Sequence, residues 1–423
     1  MDVASFDEPS KIALKTSNSL SIARAPALAF ESVVPDSYVL NLAVLRSSYA
    51  ASFSSPSNSI SLLDKKRLRI VGTMKYAHAD TITSIKSPSY LSTHLGKDVL
   101  ISSGKDGLLK VWDTRSHYEC VLQFEETGSQ RGLLSFDSSS DGLCLVAGSE
   151  LKGDEAHLIF WDVRSNGAPT HVSTSVHSDD ITSVNFHPST SHLLLSASTD
   201  GLLCTTDSRE HDEDESGVNV GNWGCSVSRA VWTGTGPSQG AAVWAHSDMQ
   251  TFSTWNAELD LIDDFGDLRK PAMPNQWGSE YFIDACMCGP HNVPASSSGL
   301  GMWTGANNGD VALLRLDNSS SWTVERILSG YHTDVVRAVT WDPENQVIVT
   351  AGEDSRVSVW SVAESNGMDI TEDLADGMDI DHDAAASEVP KAAKRSRDDV
   401  DGETQERPVL KKKNKSESST RKR

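Results

Sequence analysis

An all-β protein assembled from repeated units is what this 423-residue sequence predicts. Three observations carry the expectation. A block of residues recurs at fixed offsets, the apolar runs are short and rich in β-branched and aromatic residues, and no long stretch shows a helical 3.6-residue apolar period. The block is clearest in three places: His78 through Ile101 to Asp113, His177 through Leu195 to Asp207, and His332 through Val349 to Trp360. In each, a hydroxyl residue (Ser102, Ser196, Thr350) stands four positions before an Asp (Asp106, Asp200, Asp354). Six positions after that Asp come Trp112, Thr206 and Trp360.

Weaker copies fill the intervals. Cys144–Ser149 followed by Leu158–Asp162 is a fourth ending, Phe252–Asn256 a fifth and Gly309–Leu316 a sixth. Tyr49–Phe53 followed by Ser59–Asp64 is a degenerate seventh. Gly, Asp, Asn, Pro and Ser punctuate every copy, the mark of strands joined by tight turns.

Composition narrows the function classes. Acids outnumber Lys and Arg by 59 to 37, a net charge of −22, which argues against a general nucleic-acid coat or an anionic-membrane binder. No apolar run approaches the ~18–20 residues that span a bilayer. Residues 1–30 lack the basic stretch, apolar stretch and cleavage site of a secretory signal, and six cysteines in so long a chain are no disulfide framework. A soluble protein of a reducing compartment is expected.

The repeated residues resemble the WD40 repeat family, whose units are about 40–45 residues of four strands each. The resemblance covers most of residues 37–362 and is weakest between Trp223 and Pro294. It implies a seven-bladed β-propeller there, closed by an N-terminal strand completing the last blade, and Tyr38–Leu45 alternates suitably for that role. Residues 1–36 are expected to be a flexible segment and 363–423 a disordered tail. Another charged stretch, His211–Glu215, reads as a solvated loop of the fourth blade.

His78, Ser102 and Asp106 have the residue types of a hydrolase triad. The resemblance gives them a structural role: Asp, imidazole, hydroxyl and indole form a hydrogen-bond chain that ties loop to strand within a blade. The sets His78/Ser102/Asp106/Trp112 and His332/Thr350/Asp354/Trp360 are complete. In His177/Ser196/Asp200, Thr206 stands where the indole belongs. There is no phosphate-cradling Gly-rich motif, no zincin His-Glu-x-x-His and no nucleophile elbow. Cys286-x-Cys288 with His291 lacks a second ligand pair at zinc spacing, and Cys144 and Cys204 read as small core residues. No enzyme activity, cofactor, metal or small-molecule substrate is expected.

Protein partners are implied instead. Aligning the repeats on the start of their first strand puts Arg229 and Arg337 in matching Arg-Ala-Val contexts, with Thr83 and Thr182 at equivalent places and Asp180 beside the latter. These five are the candidate partner contacts. Trp112-Asp113-Thr114-Arg115 and Trp161-Asp162-Val163-Arg164 resemble the Trp-Asp-x-Arg box of propellers that serve as substrate receptors of cullin-type ubiquitin ligases. Beyond residue 363, Glu364–Glu388 holds nine acids and no Lys or Arg, and Lys391–Arg423 holds twelve Lys or Arg. Lys394, Arg395 and Arg397 are separated by a spacer from Lys411, Lys412, Lys413 and Lys415, which suits an importin-type carrier with two acidic pockets. The same tract could contact RNA or ribosomal components. The expectation is a scaffold for protein–protein contacts in the nucleus, with the cytoplasm also open. The alternatives are an RNA-associated or ribosome-assembly factor and a ligase receptor.

Overall fold

A blade of four antiparallel strands has two apolar faces, and it can cover both only by stacking between two others. The computed structural model satisfies that condition with seven sheets arranged as the blades of a propeller. It describes residues 12–32, 37–91, 99–115, 118–126, 128, 130–165, 167–233, 242–271, 275–286, 299–318 and 321–362. Residues 1–11 and 363–423, with the acidic and basic tail clusters, lie outside the described residues.

The innermost strands, in blade order, are Val39–Val44, Ile82–Lys86, Leu133–Ser138, Ile181–Phe186, Val227–Trp232, Tyr281–Cys286 and Val336–Asp342. Each pairs with the strand that follows it, and six of the seven carry the same irregularity: one residue bulges out just after the strand begins, as between Ile82 and Ser84 or Val336 and Ala338. In Tyr281–Cys286 the shift comes one step later, between Phe282 and Asp284. A bulge raises local twist, which helps an inner strand turn into the central channel.

Large apolar side chains fill the seams between blades. Phe124, Phe136 and Trp161 join blades two and three. Phe252, Phe265 and Trp322 form edge-on pairs between blades five and six, with ring centres 5.5–5.7 Å apart. Such geometry adds about 0.5–1.5 kcal/mol per pair beyond area burial.

The ring closes differently from the sequence expectation. Val39–Val44, the core of the Tyr38–Leu45 candidate, is the inner strand of the first blade and pairs with Ser48–Phe53. The last blade is completed by Leu28–Glu31, antiparallel to Arg356–Ser361 with Leu28 opposite Val359 and Glu31 opposite Arg356. Leu28 and Phe30 face inward and half-buried, whereas Ala29 and Glu31 are exposed, the period-two pattern of an edge strand. Residues 12–32 are therefore not the flexible segment expected of 1–36. Ala13–Ala23 is a second added strand, parallel to Ser321–Leu328, and it covers the outer edge of blade six with Ile12 and Leu14 buried in that blade's core.

Polar contacts reinforce the closure. Tyr49 of blade one donates from its hydroxyl to the buried Asp342 of blade seven at 2.9 Å, and Lys65 meets the same carboxylate at 2.9 Å. Ser355 takes a left-handed φ of 62°, where its counterparts in blades two and four are Gly107 and Gly201. Its hydroxyl donates to Ser37 O at 2.7 Å and its carbonyl accepts from Ser32 N, which pins both ends of the N-terminal connection.

Deleting residues 1–32 should lower the thermal midpoint by at least several degrees and broaden the transition, because it strips the last blade of its outer strand and uncovers blade six. Differential scanning calorimetry reads this. An unchanged midpoint would mean that the ring closes without Leu28–Glu31.

Candidate functional site

The three His-centred sets assemble as hydrogen-bond chains. His78 Nδ1 lies 2.9 Å from Asp106, its Nε2 lies 2.7 Å from Ser102 Oγ, and Trp112 Nε1 donates to the same hydroxyl at 2.9 Å. His332 repeats the pattern with Asp354 at 3.0 Å, Thr350 at 2.8 Å and Trp360 donating at 2.9 Å. His177 meets Asp200 at 3.1 Å and Ser196 at 2.9 Å, but the chain stops there, since the buried Thr206 hydroxyl finds no partner among the described residues.

Each Asp also accepts backbone N–H groups, from Ala79 and Leu108, from Ser178 and Leu202, and from Thr333 and Arg356. Burial alone would raise the three carboxyls. The imidazole and the two N–H donors outweigh it and hold all three below the usual carboxylate range. Gly104 explains how the blade-two set fits: a Cβ there would stand 2.6 Å from His78 Nδ1. His78 is 1% exposed and Ser102 is 0% exposed, so no substrate reaches this hydroxyl. The arrangement braces the turn before the third strand against the turn before the first.

The expected partner contacts do not form one set. Arg337 occupies the bulge position of blade seven, shared with Thr83, Thr182 and Ser228, whereas Arg229 falls one residue later and matches Ala338. The matching Arg-Ala-Val letters are thus out of register. Thr83 donates to Leu133 O at 2.7 Å and Thr182 to Val227 O at 2.6 Å, so both hydroxyls tie one blade to the next. Asp180 accepts from Leu151 N at 2.7 Å, a loop-to-loop tie between blades four and three. The arginines remain about half exposed: Arg229 pairs with Asp284 at 3.2 Å and Arg337 with Glu353 at 2.5 Å. Both line one polar channel of about 360 Å³, with Lys86 and Asp284. Burial raises the Asp284 carboxyl against the pull of Arg229, Ala285 N–H and Lys86.

The two Trp-Asp-x-Arg boxes share one geometry, and two other places have it too. Arg115 grips Asp113 through Nε and Nη2 at 3.0 and 3.1 Å, and Arg164 grips Asp162 at 2.9 and 2.6 Å. Arg209 grips Asp207 in the same way, at 3.0 and 2.6 Å. These three pairs follow the third strand of their blades (Leu108–Asp113, Leu158–Asp162, Leu202–Asp207), so three adjacent blades present preset guanidinium groups on one face. Arg269 grips Asp267 in the same way, at 2.9 Å through both nitrogens, but after the fourth strand of blade five, Leu261–Asp267. Sequence reading missed Arg209 because Thr206 replaces the Trp that flags the box. The Asp-x-Arg spacing alone could have found it.

The acidic insert His211–Glu215 falls in blade four as expected, but it is not simply solvated. Asp212 caps a one-turn helix, Glu213–Ser216, and Glu213 accepts from Thr174 N and Ser175 N of blade three. His211 stacks on His171, which stacks on Phe160 with ring centres 4.1 Å apart. Burial pushes His171 down to about 4, with His211 adding to the shift. Cys204 is buried and Cys144 half-buried, and burial pushes both thiols up to about 12. Met287, Cys288 and His291 lie outside the described residues.

The fold and its braces define a WD repeat β-propeller. A family model described as "WD domain, G-beta repeat" matches residues 69–113, 169–205 and 322–361. The chain is 30% identical to WD repeat-containing protein GTS1 of Arabidopsis thaliana, covering 74% of this chain and 78% of that protein. It is 26% identical to a WD repeat-containing protein 89 homolog of Dictyostelium discoideum, over 77% of this chain and 82% of the relative. The chain therefore belongs to the WD40 repeat family. A shorter match, 30% identical over 25% of this chain and 18% of the relative, is to a DDB1- and CUL4-associated factor 11 homolog of Caenorhabditis briggsae.

Replacing His332 with Ala should cost about 2–4 kcal/mol, because it leaves the buried Asp354 and Thr350 without their shared partner. Chemical denaturation measures it; a variant of wild-type stability would show that the chain braces nothing.

Acid should destabilise the fold through His171. Its folded pKa lies below the ordinary 6.5, so the unfolded chain binds the proton first and stability falls as pH drops from about 6.5 towards 4. His171→Phe keeps the ring stack and should make the thermal midpoint fall less steeply as pH drops through that window, the remaining slope coming from groups such as the buried His246, which burial pushes down to about 3; parallel curves would exclude His171 as a contributor.

Proposed function

We propose that this protein is a non-catalytic scaffold that holds protein partners on rigid propeller surfaces and works in the nucleus. The observation that carries the reading is that the polar sets resembling catalytic groups are sealed inside the blades, whereas Arg229 and Arg337 stand half exposed at the channel. Arg is enriched at interface hot spots. A rigid surface also loses little conformational entropy on binding. The nuclear assignment rests on the clusters Lys394–Arg397 and Lys411–Lys415, which suit an importin-type carrier.

Proximity labelling in cells tests both parts. Arg337→Glu should remove a subset of labelled partners while the propeller stays folded. Deleting residues 391–423 should move a fluorescent fusion out of the nucleus. An unchanged partner list would dismiss the channel arginines, and unchanged nuclear accumulation would dismiss the import tract. Sedimentation that collapses on RNase treatment would favour an RNA-associated or ribosome-assembly role instead.

A second reading, a substrate receptor of a cullin-type ubiquitin ligase, is favoured by the preset guanidinium groups of Arg115, Arg164 and Arg209 on adjacent blades. The short match to a DDB1- and CUL4-associated factor 11 homolog points the same way. Co-purification of a ligase adaptor, lost when all three arginines become Ala, supports it; co-purification that survives the triple change, or no adaptor at all, removes it.

A further inference from the structure

The outer strand of blade one, Ile70–Met74, and the turn after it expose apolar surface that no described residue covers. Ile70, Val71 and Tyr76 are 49%, 51% and 78% exposed. Tyr76 also holds a left-handed φ of 49°, a conformation that is costly for a bulky residue. No packing offsets that cost at so exposed a ring.

Beside it a groove of about 580 Å³ runs between blades one and seven. Phe30, Phe53 and Pro56 are among its lining residues, together with Ile70, Lys75 and Tyr76.

Charge sets this groove apart. Most arginines of the propeller, Arg164, Arg229 and Arg337 among them, lie against a carboxylate. Here Lys66, Arg67 and Arg69, on the turn leading into Ile70, and Lys75 at the other end of the strand form no ion pair among the described residues. Glu31, the one carboxylate among the described residues lining the groove, lies 3.6 Å from Arg356. A chain with a net charge of −22 thus keeps cations without an ion pair among the described residues at both ends of the strand that borders this cleft, and Lys75 lines the cleft itself.

We propose that this rim groove docks an extended segment of a partner protein in which bulky apolar side chains are flanked by carboxylates. The apolar side chains would fill the cleft beside Phe30 and Ile70 under the Tyr76 ring, and the flanking acids would meet Arg69 and Lys75. Strand addition at Val71 is closed off, since its carbonyl already accepts from the Tyr118 hydroxyl at 2.9 Å, so recognition there rests on side chains. Nucleic acid is the weaker fit: the acidic body repels phosphate, and Tyr76 alone offers an open ring for stacking. The proposal rests on the scaffold reading but uses a different surface from Arg337. Its failure would leave the channel-face test standing.

Panning a random-peptide display library on the full chain tests it, with Tyr76→Gly and the double variant Arg69→Glu/Lys75→Glu as counter-targets. Gly accepts a positive φ, so Tyr76→Gly should match or exceed the wild-type thermal midpoint, which separates lost binding from lost folding. The expected result is selection of peptides with carboxylates around Leu, Phe or Trp, recovered at least ~10-fold less well on either variant. Equal recovery on all three proteins, or selection of basic or uncharged sequences, would overturn it. So would a uridine oligonucleotide that binds the wild type and not the charge-reversed form, or self-association in ultracentrifugation that Tyr76→Gly abolishes, which would assign the groove to a second copy.

Discussion

Ring closure is the constraint on which everything else in this fold depends. Seven blades cover one another's faces only if the last meets the first, and the last sheet is built from both ends of the propeller sequence, with Leu28–Glu31 laid against Arg356–Ser361. Linking segments so distant in sequence carries a loop-closure cost, but that cost grows only slowly with length. Burial at the seam offsets it: Tyr49, Phe53 and Leu63 of blade one pack with Val349, Val357 and Val359 of blade seven. Around this apolar seam the Tyr49–Asp342–Lys65 contacts and the Ser355 hydroxyl fix the register.

Within the blades, stability and uniqueness come from different sources. Apolar burial is generous and unspecific, whereas the Asp-His-hydroxyl-Trp chains accept one arrangement only. Blade four shows what a missing member does. Thr206 is too short to reach Ser196, its hydroxyl finds no partner among the described residues, and the space beside it is closed by the insert carrying His211 and Glu213. A gap in one brace is covered by a clasp on the neighbouring blade.

The sequence revealed the blade count, the polar sets and the last blade's inner strands, because those depend on residues at fixed short offsets. It did not reveal the closing strand. Leu28–Glu31 and Ala13–Ala23 lie in Ser- and Ala-rich sequence whose strand character comes from the partner edge, while Val39–Val44 alternates more strongly and sits elsewhere. The interface residues were harder. Thr83 and Thr182 looked available, yet their hydroxyls bond across seams, and a single bulge put Arg229 one place away from Arg337. Arg209 was hidden by the same Trp-to-Thr change that opened blade four. Three-dimensional register, rather than residue type, decided each case.

The proposed function draws on three surfaces of the propeller: two channel arginines, Asp-held arginines at the ends of adjacent third strands, and a rim cleft bordered by cations without an ion pair among the described residues. All of them require the wheel to be closed. Native-state hydrogen exchange tests that closure most directly. If Leu28–Glu31 is integral, its ladder amides should open with the same free energy as those of Val347–Gly352, deep in the same blade. Exchange near the rate of a free chain, with Val347–Gly352 still protected, would contradict the account and leave the wheel held by blades one and seven alone.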